Sequence, residues 1–202
     1  MDFDVLIVGG GAAGMSCALI LGSAQHKSYA ENKKVGIIFH QKISDLQNAL
    51  FNNVLGLPAG TTGAAILKDG PKHLEKLYPK VIQIGKEKVL KIGLIPSGFT
   101  VETNKNRYRA GKVVIAAGYS DLLRIKGLEN YIIPHKKTQH EKNRIQLINE
   151  DHLVIPNLYV AGSLAGHRSQ FSIACGSGAA VATDILTEWN NGIHTKVHDK
   201  LK

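Results

Sequence analysis

The segment DFDVLIVGGGAAGMSCALIL, Asp2–Leu21, leaves the fold little freedom. Val5–Val8 is an unbroken apolar run, as in a strand covered on both faces rather than one. Gly9, Gly11 and Gly14 follow as G-x-G-x-x-G, and the small residues from Ala12 to Ala24 predict a helix. Such a motif asks for glycine three times: for a tight turn, for close approach of a diphosphate, and for close helix–strand packing. The helix start turns its free N–H groups and positive dipole end toward that diphosphate. KVGIIFH, Lys34–His40, is a second buried strand, so the chain opens β-α-β. In that setting the glycine motif points to a dinucleotide. The second strand of such a unit ends on an acid that bonds ribose hydroxyls, and here His40 stands there, 26 residues after Gly14. Histidine can reach a hydroxyl, or a phosphate when protonated. A plain surface histidine is the competing reading.

Further along, LFNNVLGLPAG reads as a loop, and a helix is predicted from about Thr62 to Leu77. Between Lys80 and Ala117, KVIQIG, VLKIG, FTVETN and NRYRAGKVVIAAG are short strands separated by turns. They predict a small β-meander inserted in an α/β frame, returning to the buried type at Lys112–Ala117. Tyr119–Asn149 is charged and weakly periodic, and reads as connector. Leu158–Ala161 is the last core strand and Phe171–Trp189 the last helix.

A chain of 202 residues suits one domain. Residues 1–118 and 154–190 form its core, with 119–153 as the connector. There are 25 Lys and Arg against 16 Asp and Glu, a net charge of +9. Aromatic residues are sparse in the basic stretches, which argues against base-stacking platforms and so against nucleic acid. A solvated surface, or a basic face for an anionic ligand or acidic partner, remains. Cys17 and Cys175 form no CxxC, and no Cys/His cluster exists, so neither a zinc site nor a local dithiol pair is written here. Cys17 reads as core. Cys175 is a packing residue or a thiol beside a cofactor, and His167 and Arg168 are surface loop or ligand contacts. Val5–Gly22 carries no charge, but Asp2 and Asp4 precede it and glycines interrupt it. No targeting segment or membrane span is expected, and the expected location is the cytoplasm.

VVIAAG (Val113–Gly118) and NLYVAGSLAGHRSQFSIACGSGAA (Asn157–Ala180) complete a set of landmarks. With the first glycine motif and FNNVLGLPAGTTGAAIL (Phe51–Leu67), the chain resembles the FAD-binding domain of thioredoxin-reductase-like flavoproteins, a Rossmann-like α/β fold. The four landmarks occur in that family's order. The resemblance implies FAD as cofactor, with Gly9, Gly11, Ala12, Ala13 and Gly14 holding its diphosphate. It implies that Val89 meets the adenine through its backbone, and that Asn48 and Asn53 lie near the flavin ring. Ala117 and Gly118 would pass close to the cofactor, Gly162 and Ser163 would face the ribityl chain, and Gln170 and Phe171 would offer backbone N–H groups to the isoalloxazine.

Departures from the family shape the functional expectation. Thioredoxin reductases insert an NADPH-binding domain with a redox CxxC between the A-T-G strand and the last motif. Here about 40 residues separate Gly118 from Tyr159, with no second glycine motif. Ser163 stands where the family's A-G-D has its acid, as His40 replaces the acid of the ribose. The expectation is an FAD-dependent oxidoreductase fed by free NAD(P)H or a partner reductase, not a self-sufficient thioredoxin reductase. No side chain is assigned as catalytic, since the cofactor carries the chemistry. The alternatives are a non-catalytic FAD-binding module or flavin subunit of a split reductase, and a binder of NAD or ADP-ribose. Without the inserted domain, surface around Gly118–Ile155 needs cover, which a homodimer or the connector folding back would supply.

Overall fold

In the computed structural model, which describes residues 1–40, 44–119 and 124–198, the opening unit is β1 (Phe3–Val8), α1 (Ala12–Ser23) and β2 (Val35–Phe39). A short hairpin, β3 (Leu50–Phe51) and β4 (Thr61–Thr62), leads into α2 (Gly63–Leu77). Then come β5 (Ile82–Gly85), β6 (Val89–Ile95), β7 (Gly98–Thr103) and β8 (Arg107–Ile115). A second hairpin, β9 (Ile132–Pro134) with β10 (Ile145–Leu147), precedes β11 (Leu153–Ile155), β12 (Leu158–Val160) and α3 (Phe171–Trp189). Thr62 caps α2 by accepting from the Ala65 N–H, which explains why that helix starts where the sequence predicts.

Strands β12, β8, β1, β2 and β5 lie side by side in that order, all parallel. Val5 sits opposite Val35 and Lys112, and Ile7 opposite Ile37 and Val114. β11 adds antiparallel at the β12 edge. β8 belongs to two systems: its first half pairs antiparallel with β7, and its second half pairs parallel with β1 and β12. Alternate side chains feed two cores. Val5, Ile7 and Ile37 pack with Leu21, Val181 and Ile185 from α1 and α3. Leu6, Val8 and Ile38 pack with Phe99 and Val101 of the meander. Cover on both faces is why β1 is apolar without alternation.

One reading of the sequence changes here. Ile82–Gly85 is not the first strand of the meander; it is the edge strand of the parallel sheet, beside β2, with α2 as the crossover. Its side chains are only half covered, so it lacks the continuous apolar run that marks its neighbours. The connector carries a hairpin of its own and folds back on the domain. Its β9–β10 hairpin is antiparallel, and Ile125, Leu128 and Leu147 are buried in the second core. The connector itself thus covers the meander side of the sheet, and Ile92 donates its N–H to the Lys126 carbonyl. Among the described residues no helix is long and apolar enough to cross a membrane.

Lys112, 7% exposed on the sheet, would be a costly buried charge alone. Its Nζ donates to the Asn157 side chain and to the carboxylate of Glu188 on α3, which also accepts from the Tyr159 hydroxyl at 3.3 Å. The nearest approach between helices is tighter still. A Cβ on Gly178 would stand 1.9 Å from the Ala13 carbonyl oxygen, so α3 rests on the backbone of α1. Gly178→Ala is therefore expected to lower stability by about 1–3 kcal/mol, as overpacked cores do. The measurement is the thermal midpoint, and an unchanged value would mean that the two helices separate without cost.

Candidate functional site

The parallel order reverses between β1 and β8, and a cleft of about 650 Å³ opens at their C-terminal ends. Open α/β sheets bind ligands at such a switch point. One wall is Val8–Ala13. Gly9 turns with φ +116°, and a Cβ there would stand 2.3 Å from the Ala116 carbonyl oxygen. Among the described residues nothing lies within 4 Å of a Cβ built on Gly11, which lines the cleft. Gly14 faces away from the cleft, where a Cβ would meet the Gly9 carbonyl oxygen at 1.8 Å. Helix α1 has no side-chain cap on its first N–H groups and no acid in its first turn. Its positive end is therefore free to bind an anion.

The other wall combines Ala116–Tyr119 at the end of β8 with Gly162 and Ser163 after β12. Ser169 and Ala174 bring in the start of α3, which likewise has no side-chain cap and no acid in its first turn. Of the residues singled out in the sequence, Gly9, Gly11, Ala12, Ala13, His40, Val89, Ala117, Gly118, Gly162 and Ser163 line this one cleft. His40 is exposed and follows β2 directly, as the acid of a ribose contact would. Asn48 is exposed at the end of a single turn, Asp45–Asn48, and Asn53 lies exposed on the loop between β3 and β4. Neither they nor Gln170 and Phe171 form part of the wall. The rings of Phe51 and Phe171 pack at 4.9 Å, which joins the hairpin carrying Asn53 to the helix start carrying Gln170.

Several wall residues escaped the sequence reading: Glu87, Lys88, Tyr119, Arg124 and Arg144. Glu87 is 7% exposed and accepts from Thr103 Oγ1 at 2.6 Å, Asn106 Nδ2 at 2.7 Å and the Tyr108 hydroxyl at 3.1 Å. Burial pushes its carboxyl up. The three donors and the charge of Lys105 outweigh that and hold it below the usual carboxylate range. Both oxygens are thus taken by the meander, and the cationic side chains that line the cleft are Lys88, Arg124 and Arg144. The one available hint was the basic stretch HKKTQHEKNR, and a connector gives no pattern that says which of its cations turns inward.

Three histidines hold the loop between β12 and α3. His135 Nε2 lies 3.1 Å from the Ser163 carbonyl oxygen and 3.2 Å from that of His167, while its Nδ1 accepts from the Lys137 N–H. Those partners assign the Nε2–H tautomer. Ser177 Oγ accepts from the Gly162 N–H at 2.8 Å and stands 2.9 Å from His152 Nε2, which is 3.0 Å from His167 Nε2. Burial pushes the His152 pKa down against the raising effect of Asp184 and Asp151. Burial also lowers that of His167, with the charges of His152, Lys137 and His135 adding to it.

A proton on His152 Nε2 would remove the acceptor that Ser177 and His167 both face. Because folding lowers these two pKa values, the unfolded chain binds the proton more readily. Their contribution is intact above the ordinary histidine pKa of about 6.5 and is lost as pH falls below it. Thermal midpoints measured from about pH 7.5 to about pH 5 should therefore fall, and His167→Gln should flatten the slope. An equal slope in that variant would show that the pair does not titrate with folding.

Comparison with known proteins follows the same lines. The sequence profile of the family described as pyridine nucleotide-disulphide oxidoreductase matches residues 3–178. Among solved structures, the chain is similar to a thioredoxin reductase from Gloeobacter violaceus, with a TM-score of 0.73, 15% identity and 99% of each chain covered. It is also similar to a ferredoxin-flavin thioredoxin reductase from Clostridium acetobutylicum, with a TM-score of 0.68 and 17% identity, covering 95% of this chain and 99% of that one. A GidA-related protein from Thermus thermophilus gives a TM-score of 0.66 and 16% identity, covering 93% of this chain and 100% of that one. At these identities the likeness is one of fold. No curated protein matches.

Proposed function

The chain belongs to the pyridine nucleotide-disulphide oxidoreductase family, and from that premise we propose that it binds FAD along the cleft and works as an FAD-dependent oxidoreductase. NAD(P)H or a partner reductase supplies its electrons. The observation that carries this reading is the continuity of the cleft from the open glycine turn at α1 to the uncapped start of α3. Two helix starts with free N–H groups suit a ligand that is anionic in the middle and gathers negative charge at one end.

In this reading Gly9, Gly11, Ala12 and Ala13 hold the diphosphate, with Gly14 keeping α1 close enough to do so. Val89 borders the adenine and His40 the adenosine ribose. Ala117, Gly118, Gly162 and Ser163 follow the chain of the cofactor, and its ring end lies toward the start of α3, where Ser169 and Ala174 complete the wall. The flavin, when bound, supplies the hydride and electron chemistry. The protein contributes position, exclusion of water and the charge of its helix starts.

Cysteine chemistry supports an external acceptor. Cys17 is fully buried, and burial pushes its thiol up; Cys175, near Ser16 of α1, is pushed up by burial as well. Both are free thiols. A thiol that passes electrons needs a lowered pKa and access, so disulfide reduction by this chain alone does not fit. Free cysteines do fit a reducing compartment such as the cytoplasm. The likeness to a reductase named for ferredoxin agrees with electrons arriving from a protein.

Purified protein is expected to be yellow, or to become so on reconstitution with FAD, and to bleach anaerobically with NADPH or NADH. Bleaching by dithionite alone would assign the donor role to a partner reductase. A colourless protein that cannot be reconstituted would end the FAD reading.

A further inference from the structure

Among the described residues, the charge of Arg144 meets an aromatic face and no carboxylate. It immediately precedes β10, in the connector, and its guanidinium lies over the Tyr119 ring, 4.8 Å from the centroid. Its Nε is buried and has no hydrogen-bond partner among the described residues. Among the described residues no carboxylate pairs with it. Arg144 and Tyr119 both line the cleft that holds the glycine turn and Ser163. A buried donor without an acceptor is costly to a folded chain. That nitrogen is closed off by the chain itself, so a ligand oxygen would meet the outer N–H groups of the guanidinium, which no carboxylate among the described residues engages.

The side chain is also held in place. The Ile145 N–H donates to the Tyr119 carbonyl at 3.1 Å, and the His135 N–H to the Arg144 carbonyl at 2.8 Å. The Tyr119 ring stands edge-on to His135 at 5.5 Å, and His135 in turn holds the Ser163 carbonyl. Arg144, Tyr119, His135 and Ser163 are therefore one braced cluster. Arg144 and Ser163 line the same cleft, and position 163 adds no carboxylate to it.

We propose that Arg144, braced on Tyr119, binds the diphosphate of the dinucleotide directly, so that the connector supplies a cation to the cleft it covers. This rests on the dinucleotide reading of the cleft. The forked donor set of a guanidinium matches phosphate oxygens in a way an ammonium does not. It adds a full charge to the N–H groups of the glycine turn, and it takes over anchoring that the missing acids at positions 40 and 163 no longer provide.

The test is titration of the apo-protein with FAD and with ADP, and the effect of inorganic pyrophosphate on its thermal midpoint. Arg144→Gln, which keeps the stem over Tyr119, is expected to weaken FAD and ADP alike by at least about tenfold. It should also abolish the pyrophosphate-induced rise in midpoint while leaving the ligand-free midpoint close to that of the parent. Arg144→Lys should fall between the two, and carries the test if the glutamine variant does not fold. Parent-like affinity of both variants for FAD and ADP would overturn the proposal and leave the FAD reading standing. Binding of ADP that depends on Arg144, with no binding of FAD, would uphold the proposal and end the FAD reading. A parent protein that binds neither would overturn both.

Discussion

Helix α1 lies in backbone contact with its surroundings on two sides, and the domain depends on that closeness. Gly14 seats it on the turn that ends β1, and Gly178 seats α3 on the Ala13 carbonyl. With a side chain at either place the helix would stand off by about a methyl group or more. Its N–H groups would then retreat from the cleft, and α3 would lose the register in which Ser177 reaches the Gly162 N–H. Packing and ligand geometry are thus set by the same missing side chains.

The parts of the fold legible in the sequence were those with a strong local cause. β1 and β2 are apolar because both faces are covered, and α3 runs from Phe171 to Trp189 because the run of small residues and the Asn190–Gly192 stop bracket it. Ile82–Gly85 misled because an edge strand half open to solvent looks like any short strand, and its partner β2 lies more than 40 residues earlier. β8 was legible in halves, since a strand that is antiparallel at one end and parallel at the other has no single burial pattern. That the connector could fold back was legible, but not which residues do it: Ile125, Leu128 and Leu147 are scattered among charges.

The candidate site divided in the same way. The turn at Gly9 and Gly11, built from backbone, leaves a glycine signature that can be read without a structure, and Ala117 and Gly118 came only with the family resemblance. Parts built from side chains at a distance leave none. Glu87, Thr103, Asn106 and Tyr108 form one network only because β6, β7 and β8 fold over one another. His135, His152 and His167 are separated by 15 to 32 residues in sequence wherever their groups meet, and nothing local links them.

The dual membership of β8 bears on the order in which the molecule can assemble. β6, β7 and β8 are sequence neighbours and can pair early as a local meander, whereas β1 must wait for β8 across a hundred residues and α1 for α3 across still more. Local pairings form fast and distant ones slowly, because loop closure is costly before contacts compensate it. The apolar underside of α1 therefore stays uncovered until the last helix arrives. The cleft comes into existence only with that step, so whatever occupies it holds the whole chain in its finished state rather than any part of it.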